Sequence, residues 1–336
     1  MPRTKRVIFE NTAYEIIPRA REGLPLPPTR LTNQLLTGIL ARTQRDDKVT
    51  LCNFVNMNNH DHQHVVPKES DMMVKFYMEY QKKVTDSVRK LTRNARLNLW
   101  EGRPAVVMMQ GVEDVVRRLV YIFLNPAKAG LVKSIDEYPG LSSWNAFKSC
   151  AASVDAEVII KARWTPASKL KPLPLNNRLS PKADDEMVNY VKSHEDSIEY
   201  DLVVKPFAWL KSYGITAPQE IESIRQRVIR EVYEAEAAIA KERREKSEGV
   251  IGAEKLRRQE YLKSHTPKKK ERKVYVFCCD DVVRPQVIKA IKRIDTECDA
   301  CYKDLKSGLP HEWPPGTFIP WIPPTMCRPK FRPAMF

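Results

Sequence analysis

No apolar run in this sequence approaches the roughly 18 residues needed to cross a bilayer. A spanning helix is therefore not expected, and no membrane partner is. The start, Met1 to Arg6, is basic, but strand-like sequence with acidic and polar residues follows it, where a secretory signal would have an apolar core. The chain is expected to stay where it is made, in the cytoplasm. Cysteine is scarce, with seven in 336 residues. That is too few for a disulfide scaffold, and an odd number argues for free thiols. Acidic residues are also in deficit, 42 against 57 lysines and arginines, for a formal net charge of +15. The deficit excludes a strongly acidic, cation-buffering protein. It suits a polyanionic partner, because each phosphate neutralised releases counterions. Such a surplus also occurs for solubility alone, so charge does not decide the matter. There is no low-complexity tract and no internal repeat. Proline, in contrast, is frequent at 25 residues, and extended connections are expected beside the packed parts.

Periodicity divides the first half into alternating elements. Arg6 to Ile17 reads as strand, and Leu31 to Thr43 as an amphipathic helix. Strands over Lys48 to Val55 and His60 to Val66 follow, then a long helix from Ser70 to about Lys90. Val106 to Met109 reads as a short strand and Gly111 to Leu124 as a helix cut by Pro126, with Gly130 as a stop. This order predicts a compact α+β domain over residues 1–150. Residues 151–184, with Pro166, Pro172, Pro174 and Pro181, read as a linker. Residues 185–336 read as a mostly helical, basic region with a proline-rich tail: helices over Asp185 to Tyr213, Pro218 to about Lys246 and Pro285 to Leu305, and one short strand, Val274 to Cys278. Cys298 and Cys301 have metal-ligand spacing but a helical setting, which fits small buried residues as well as a zinc site.

Three of the six histidines, His60, His62 and His64, fall within five residues. On a strand, alternate positions share a face, so two or three imidazoles can converge on one point. Neutral imidazole is a common ligand for divalent cations, so the cluster reads as a metal site. A wet edge strand carrying histidines for other reasons is the alternative. Tyr121 and Asn125, four apart on a helix, share a face. The amide can fill a third metal position and the phenol can stand where a metal-bound phosphate would lie. A tyrosine so placed also serves simple packing.

These residues lie in phrases that resemble the IS200-like single-tyrosine transposases, most closely the branch associated with repetitive extragenic palindromes. Met57, Asn58, Asn59, His60, Asp61 and His62 resemble the family's histidine–hydrophobe–histidine motif. Leu99, Trp100 and Arg103 resemble its Leu-Trp-x-x-Arg element. Val120 to Val132, with Tyr121, Asn125, Pro126 and Gly130, resemble its helix phrase, and Tyr138, Pro139, Ser142 and Ser143 the phrase after it. The four phrases keep the family's order across roughly residues 10–150, and no separate domain is recognised beyond them.

The resemblance implies an HUH nuclease-like fold, a small antiparallel sheet with helices on one face. It implies Mg²⁺ or Mn²⁺ held by His60, His62 and Asn125, with Tyr121 as nucleophile. The implied activity is metal-dependent nicking and joining of single-stranded, hairpin-forming DNA through a 5′-phosphotyrosine, by a homodimer associated with DNA. Three departures stand out. Asp61 replaces the apolar residue between the histidines, so it must be exposed, paired or part of the site. Asn58 replaces a proline and Val120 an arginine. A second frame, His62-Gln63-His64, is also present, but Met57 and Asn59 anchor the first. A hairpin-binding protein with reduced nicking is the main alternative, and a metal-dependent phosphodiesterase acting on RNA or nucleotides a third. For DNA contact, the basic stretch Arg89, Lys90, Arg93, Arg96 and Arg103 is the first candidate, with Trp100 available for stacking or for the core. Lys268, Lys269 and Lys270 form a second basic patch.

Overall fold

The computed structural model describes residues 6–47, 49–263, 275–309, 311–319 and 330–331. The first half of the chain supplies β1 (Tyr14–Ile17), α1 (Arg30–Asp47), β2 (Thr50–Asn56), β3 (Asp61–Val66), α2 (Ser70–Thr92), β4 (Ala105–Met109), α3 (Val112–Lys128) and α4 (Trp144–Ser149). The second half supplies β5 (Val158–Arg163), α5 (Pro181–Ser193), β6 (Glu199–Val204), α6 (Pro218–Glu245), α7 (Ala253–Arg257), β7 (Val276–Phe277) and α8 (Val283–Lys306).

Seven strands form one sheet in the order β5-β6-β2-β3-β1-β4-β7. Its middle, β2-β3-β1-β4, is the expected small antiparallel sheet. The C-terminal half widens it at both edges, β6 running parallel to β2 and β7 parallel to β4, so the sheet is mixed. The fold is α+β, with helices packed on a mixed sheet and a helical C-terminal extension.

Strand alternation sorts the core into two layers. Tyr14, Ile16, Phe54, Val65, Val106 and Met108 face α1 and α2, packing with Leu36, Leu40, Phe76, Tyr80 and Val84. Ala13, Val55, Val66 and Met109 face the other way, against Val115, Leu119 and Phe123 of α3, Phe147 of α4 and Val228 of α6. A bulge between Leu51 and Asn53 lets Leu51 stay in the first layer while Cys52 enters the second. Helices thus cover both faces, where one face was expected, because α3 lies across the sheet from α1 and α2.

Four stretches differ from the sequence reading. Residues 158–163 form a strand, and the helix expected over 185–213 is α5, then β6, then a 3₁₀ turn. β5 alternates exposed and part-buried positions, so alone it looks like polar connection, and only pairing with β6 makes it a strand. α3 also runs through Pro126 to Lys128, ending before Gly130 at φ +69°, because near a C-terminus the missing proline N–H breaks little of the helix ladder. At the front of the chain, only Tyr14–Ile17 of the expected strand pairs.

Candidate functional site

β3 pairs with β1 so that Glu15 lies opposite His64, and with β2 so that Val55 lies opposite His62. His62, His64 and Glu15 therefore point to the α3 side of the sheet, and the amphipathic stripe of α3 sets Arg118, Tyr121 and Asn125 above them.

His62 is the centre of the arrangement. Its Nδ1 lies 2.6 Å from Glu15 Oε1, and both side chains are almost fully buried. A carboxylate at Nδ1 fixes the proton there and leaves Nε2 as the lone-pair nitrogen. That nitrogen is 3.0 Å from the Asn125 amide. The His60 ring stands edge-on to His62, centroids 4.8 Å apart, and Tyr121 does the same at 5.8 Å. His60 Nδ1 lies 2.7 Å from Asn59 Oδ1, which likewise leaves Nε2 as the lone-pair nitrogen. Loss of hydration holds the His60 pKa well below the ordinary imidazole range, with His62, Arg19 and Arg118 pushing the same way, so the ring is neutral.

Glu15 uses its second oxygen for Arg118 Nε. Burial raises the pKa of this carboxyl, but the His62 hydrogen bond and the Arg118 charge outweigh it, and Glu15 stays below its usual range. The Arg118 guanidinium lies 4.3 Å from the Tyr121 ring centroid, and Lys128 Nζ 4.9 Å from it. Glu15 and Arg118 were not read from the sequence. The only sign of Glu15 there is a lone carboxylate in the apolar strand Tyr14-Glu15-Ile16-Ile17.

The remaining predicted residues are spread out. His64 is fully buried beside Trp209, ring centroids 5.9 Å apart, with its Nδ1 3.4 Å from Asn53. Burial takes its pKa down to about 3. Asp61 points to the opposite face, accepting a 2.8 Å hydrogen bond from the Tyr80 hydroxyl; it is paired, and not part of the histidine cluster. Trp100 is buried with its N–H donating to Gln81 O at 2.9 Å. Arg89 donates to Leu97 O and Arg93 to Leu173 O, while Arg96 and Arg103 are exposed. Lys268, Lys269 and Lys270 lie outside the described residues. Cys298 and Cys301 are buried on α8 with Leu305 and Trp313, and Cys301 Sγ lies 3.2 Å from Glu312 O. Among the described residues, no three His, Cys, Asp or Glu side chains gather as a metal cage.

The second half of the chain braces α3. Arg227 of α6 makes a two-pronged ion pair with Glu113 at 2.7 and 2.9 Å. Arg243 covers the far end of α3, 3.4 and 3.3 Å from the Ala127 and Lys128 carbonyls, where a cation also suits the helix dipole.

No protein-family model matches the chain, and no curated protein matches it. Among solved structures it is similar to a REP-associated tyrosine transposase bound to a REP hairpin, at 18% identity and a TM-score of 0.34, over 44% of this chain and 84% of that one. The match is weak and partial.

Proposed function

We propose that the protein nicks and rejoins single-stranded DNA, with Tyr121 as nucleophile and His60, His62 and Asn125 as the ligands of a divalent cation. The observation that carries this reading is the meeting of His62 Nε2, the Asn125 amide and the Tyr121 ring at one point, from a strand and a helix far apart in sequence.

The donors suit a cation. Both imidazoles have Nδ1 engaged and Nε2 left as ligand nitrogen, and the buried carboxylate behind His62 fixes the orientation of its ring. A half-turn of the Asn125 amide presents oxygen in place of nitrogen. Two imidazoles and one amide favour Mn²⁺ over Mg²⁺ on ligand softness. What a cation supplies at such a site is offset of the charge on the phosphate. Tyr121 Oη attacks phosphorus as the P–O3′ bond breaks; the phenolic proton is lost and the departing 3′ oxygen gains one. The product is a 5′-phosphotyrosine and a free 3′-OH. Attack by a new 3′-OH reverses the step, so joining needs no nucleotide cofactor. Homodimerisation and a preference for hairpin-forming strands belong to the same proposal through the sequence phrases. Asp61, the departure that most favoured a binding-only protein, faces away from the histidines and leaves the ligand set intact.

The test is Tyr121→Phe, which keeps the ring and deletes the hydroxyl. Folding and DNA binding should persist, while cleavage and the covalent protein–DNA species vanish from denaturing gels. Mass spectrometry of the wild-type adduct should place the phosphate on the Tyr121 peptide. His60→Ala should lose Mn²⁺ binding and cleavage together. An adduct on another tyrosine, or cleavage by Tyr121→Phe, refutes the assignment.

A further inference from the structure

Two cations share the helix face of Tyr121, Arg118 one turn before it and Lys128 two turns after, both within 5 Å of its ring centroid. Like charges brought together repel, and the two are held differently. Arg118 is fixed: Glu15 takes its Nε, while among the described residues nothing accepts from its terminal nitrogens. Its charge is balanced by that carboxylate, so what it offers outward is a set of oriented N–H donors. Lys128 is exposed at the end of α3, and among the described residues no carboxylate pairs with it, so it offers net charge. A fixed guanidinium fork beside an exposed ammonium suits a phosphodiester, which takes a two-pronged hydrogen bond from the first and a point charge from the second.

We propose that Arg118 and Lys128 form a phosphate clamp beside Tyr121, and that Glu15 is the positioning residue which ties Arg118 and His62 together. This rests on Tyr121 being the nucleophile. Because one carboxylate holds both groups, the guanidinium cannot swing away without releasing the contact that sets the height of Arg118 relative to His62. The donors facing the phosphate are thereby placed relative to the imidazole before any strand arrives.

The division of labour gives separable signatures. Binding of a single-stranded oligonucleotide is measured against salt in the Tyr121→Phe background, without metal, and cleavage rates are measured in the otherwise wild-type chain. Lys128→Gln should flatten the plot of log affinity against log salt by about 0.7, the amount for one phosphate on a single strand, and slow cleavage less than about tenfold. Arg118→Gln uncovers the Glu15 carboxylate, so its slope should also flatten, by up to about 0.7, but cleavage should slow by about a hundredfold or more. Arg118→Lys, which keeps charge but not the fork, should stay slow, and it serves as the second variant should Arg118→Gln not fold. Glu15→Gln keeps one acceptor oxygen and turns the other position into an N–H donor, so it can hold only one of its two partners, and it uncovers the Arg118 charge. Its slope should steepen by up to about 0.7 while cleavage slows, which a merely structural lesion would not produce. Wild-type cleavage by Arg118→Gln, or an unchanged slope in Lys128→Gln, overturns the clamp. If the wild-type protein forms no covalent adduct, the nucleophile assignment fails, and the metal-free slopes still decide the clamp.

Discussion

Asp61 lies between two imidazoles in sequence and on the other side of the sheet in space. Its carboxyl is buried, the Tyr80 hydroxyl donates to it, and burial raises its pKa to about 7. An unfolded aspartate titrates near ~3.9. Between those values the folded state keeps a proton that the unfolded state has lost. Stability is therefore full below about pH 4, falls by about 1.4 kcal/mol per pH unit as pH rises, and levels off above about 7. Asp61→Asn removes this dependence. The variant should melt at a higher temperature than wild type at pH 8 and at the same temperature at pH 4. A wild-type stability profile that is flat between pH 4 and 7 would contradict this account. The lone carboxylate was legible as a demand for a partner. Which hydroxyl met the demand was not, since Tyr80 is reached only when α2 folds back over β3.

At the scale of elements, α1 shows how packing reverses a local preference. Gly38 sits mid-helix, where replacement by alanine gains about 1 kcal/mol in helix propensity. Here, however, a β-carbon would fall on the main-chain carbonyl of Arg163 at the end of β5, and 3.2 Å from Trp164 Cα. Backbone cannot step aside as a flexible side chain can, and such overpacking costs about 1–3 kcal/mol or more. Gly38→Ala should lower the urea midpoint, and a raised midpoint would show that α1 does not press on β5 as described. The start of α1 is likewise set from a distance: Asp184, at the front of α5, accepts the Arg30 and Leu31 N–H groups at 2.8 and 2.9 Å. The helix itself was readable from the spacing of Leu31, Leu35, Leu36, Ile39 and Leu40. Its cap and its glycine were not, because both answer to residues more than a hundred positions away.

For the molecule as a whole, the two halves of the chain share one sheet and one buried layer. Phe207, Trp209 and Leu210 pack with Cys52, Val55 and Phe147, and Val228 and Val232 of α6 with residues of α3. A fragment of residues 1–150 would lose β5, β6 and β7, leaving β2 and β4 as open edges and α3 without its brace. It should aggregate or bind hydrophobic dyes, and a cooperative melt at the full-length midpoint would refute that. The helices and strands whose pattern is local could be read from residue order, and so could His60, His62, Tyr121 and Asn125 as candidates, since alternation on a strand and four-residue spacing on a helix each define a face. That Glu15 joins His62 to Arg118, that β5 and β6 are strands, and that α6 secures the helix carrying Tyr121 emerges only in the folded chain. Each of these depends on strand register or on a helix–helix contact across a long stretch of chain. Such a contact forms only when the buried layer as a whole compensates the loss of chain entropy.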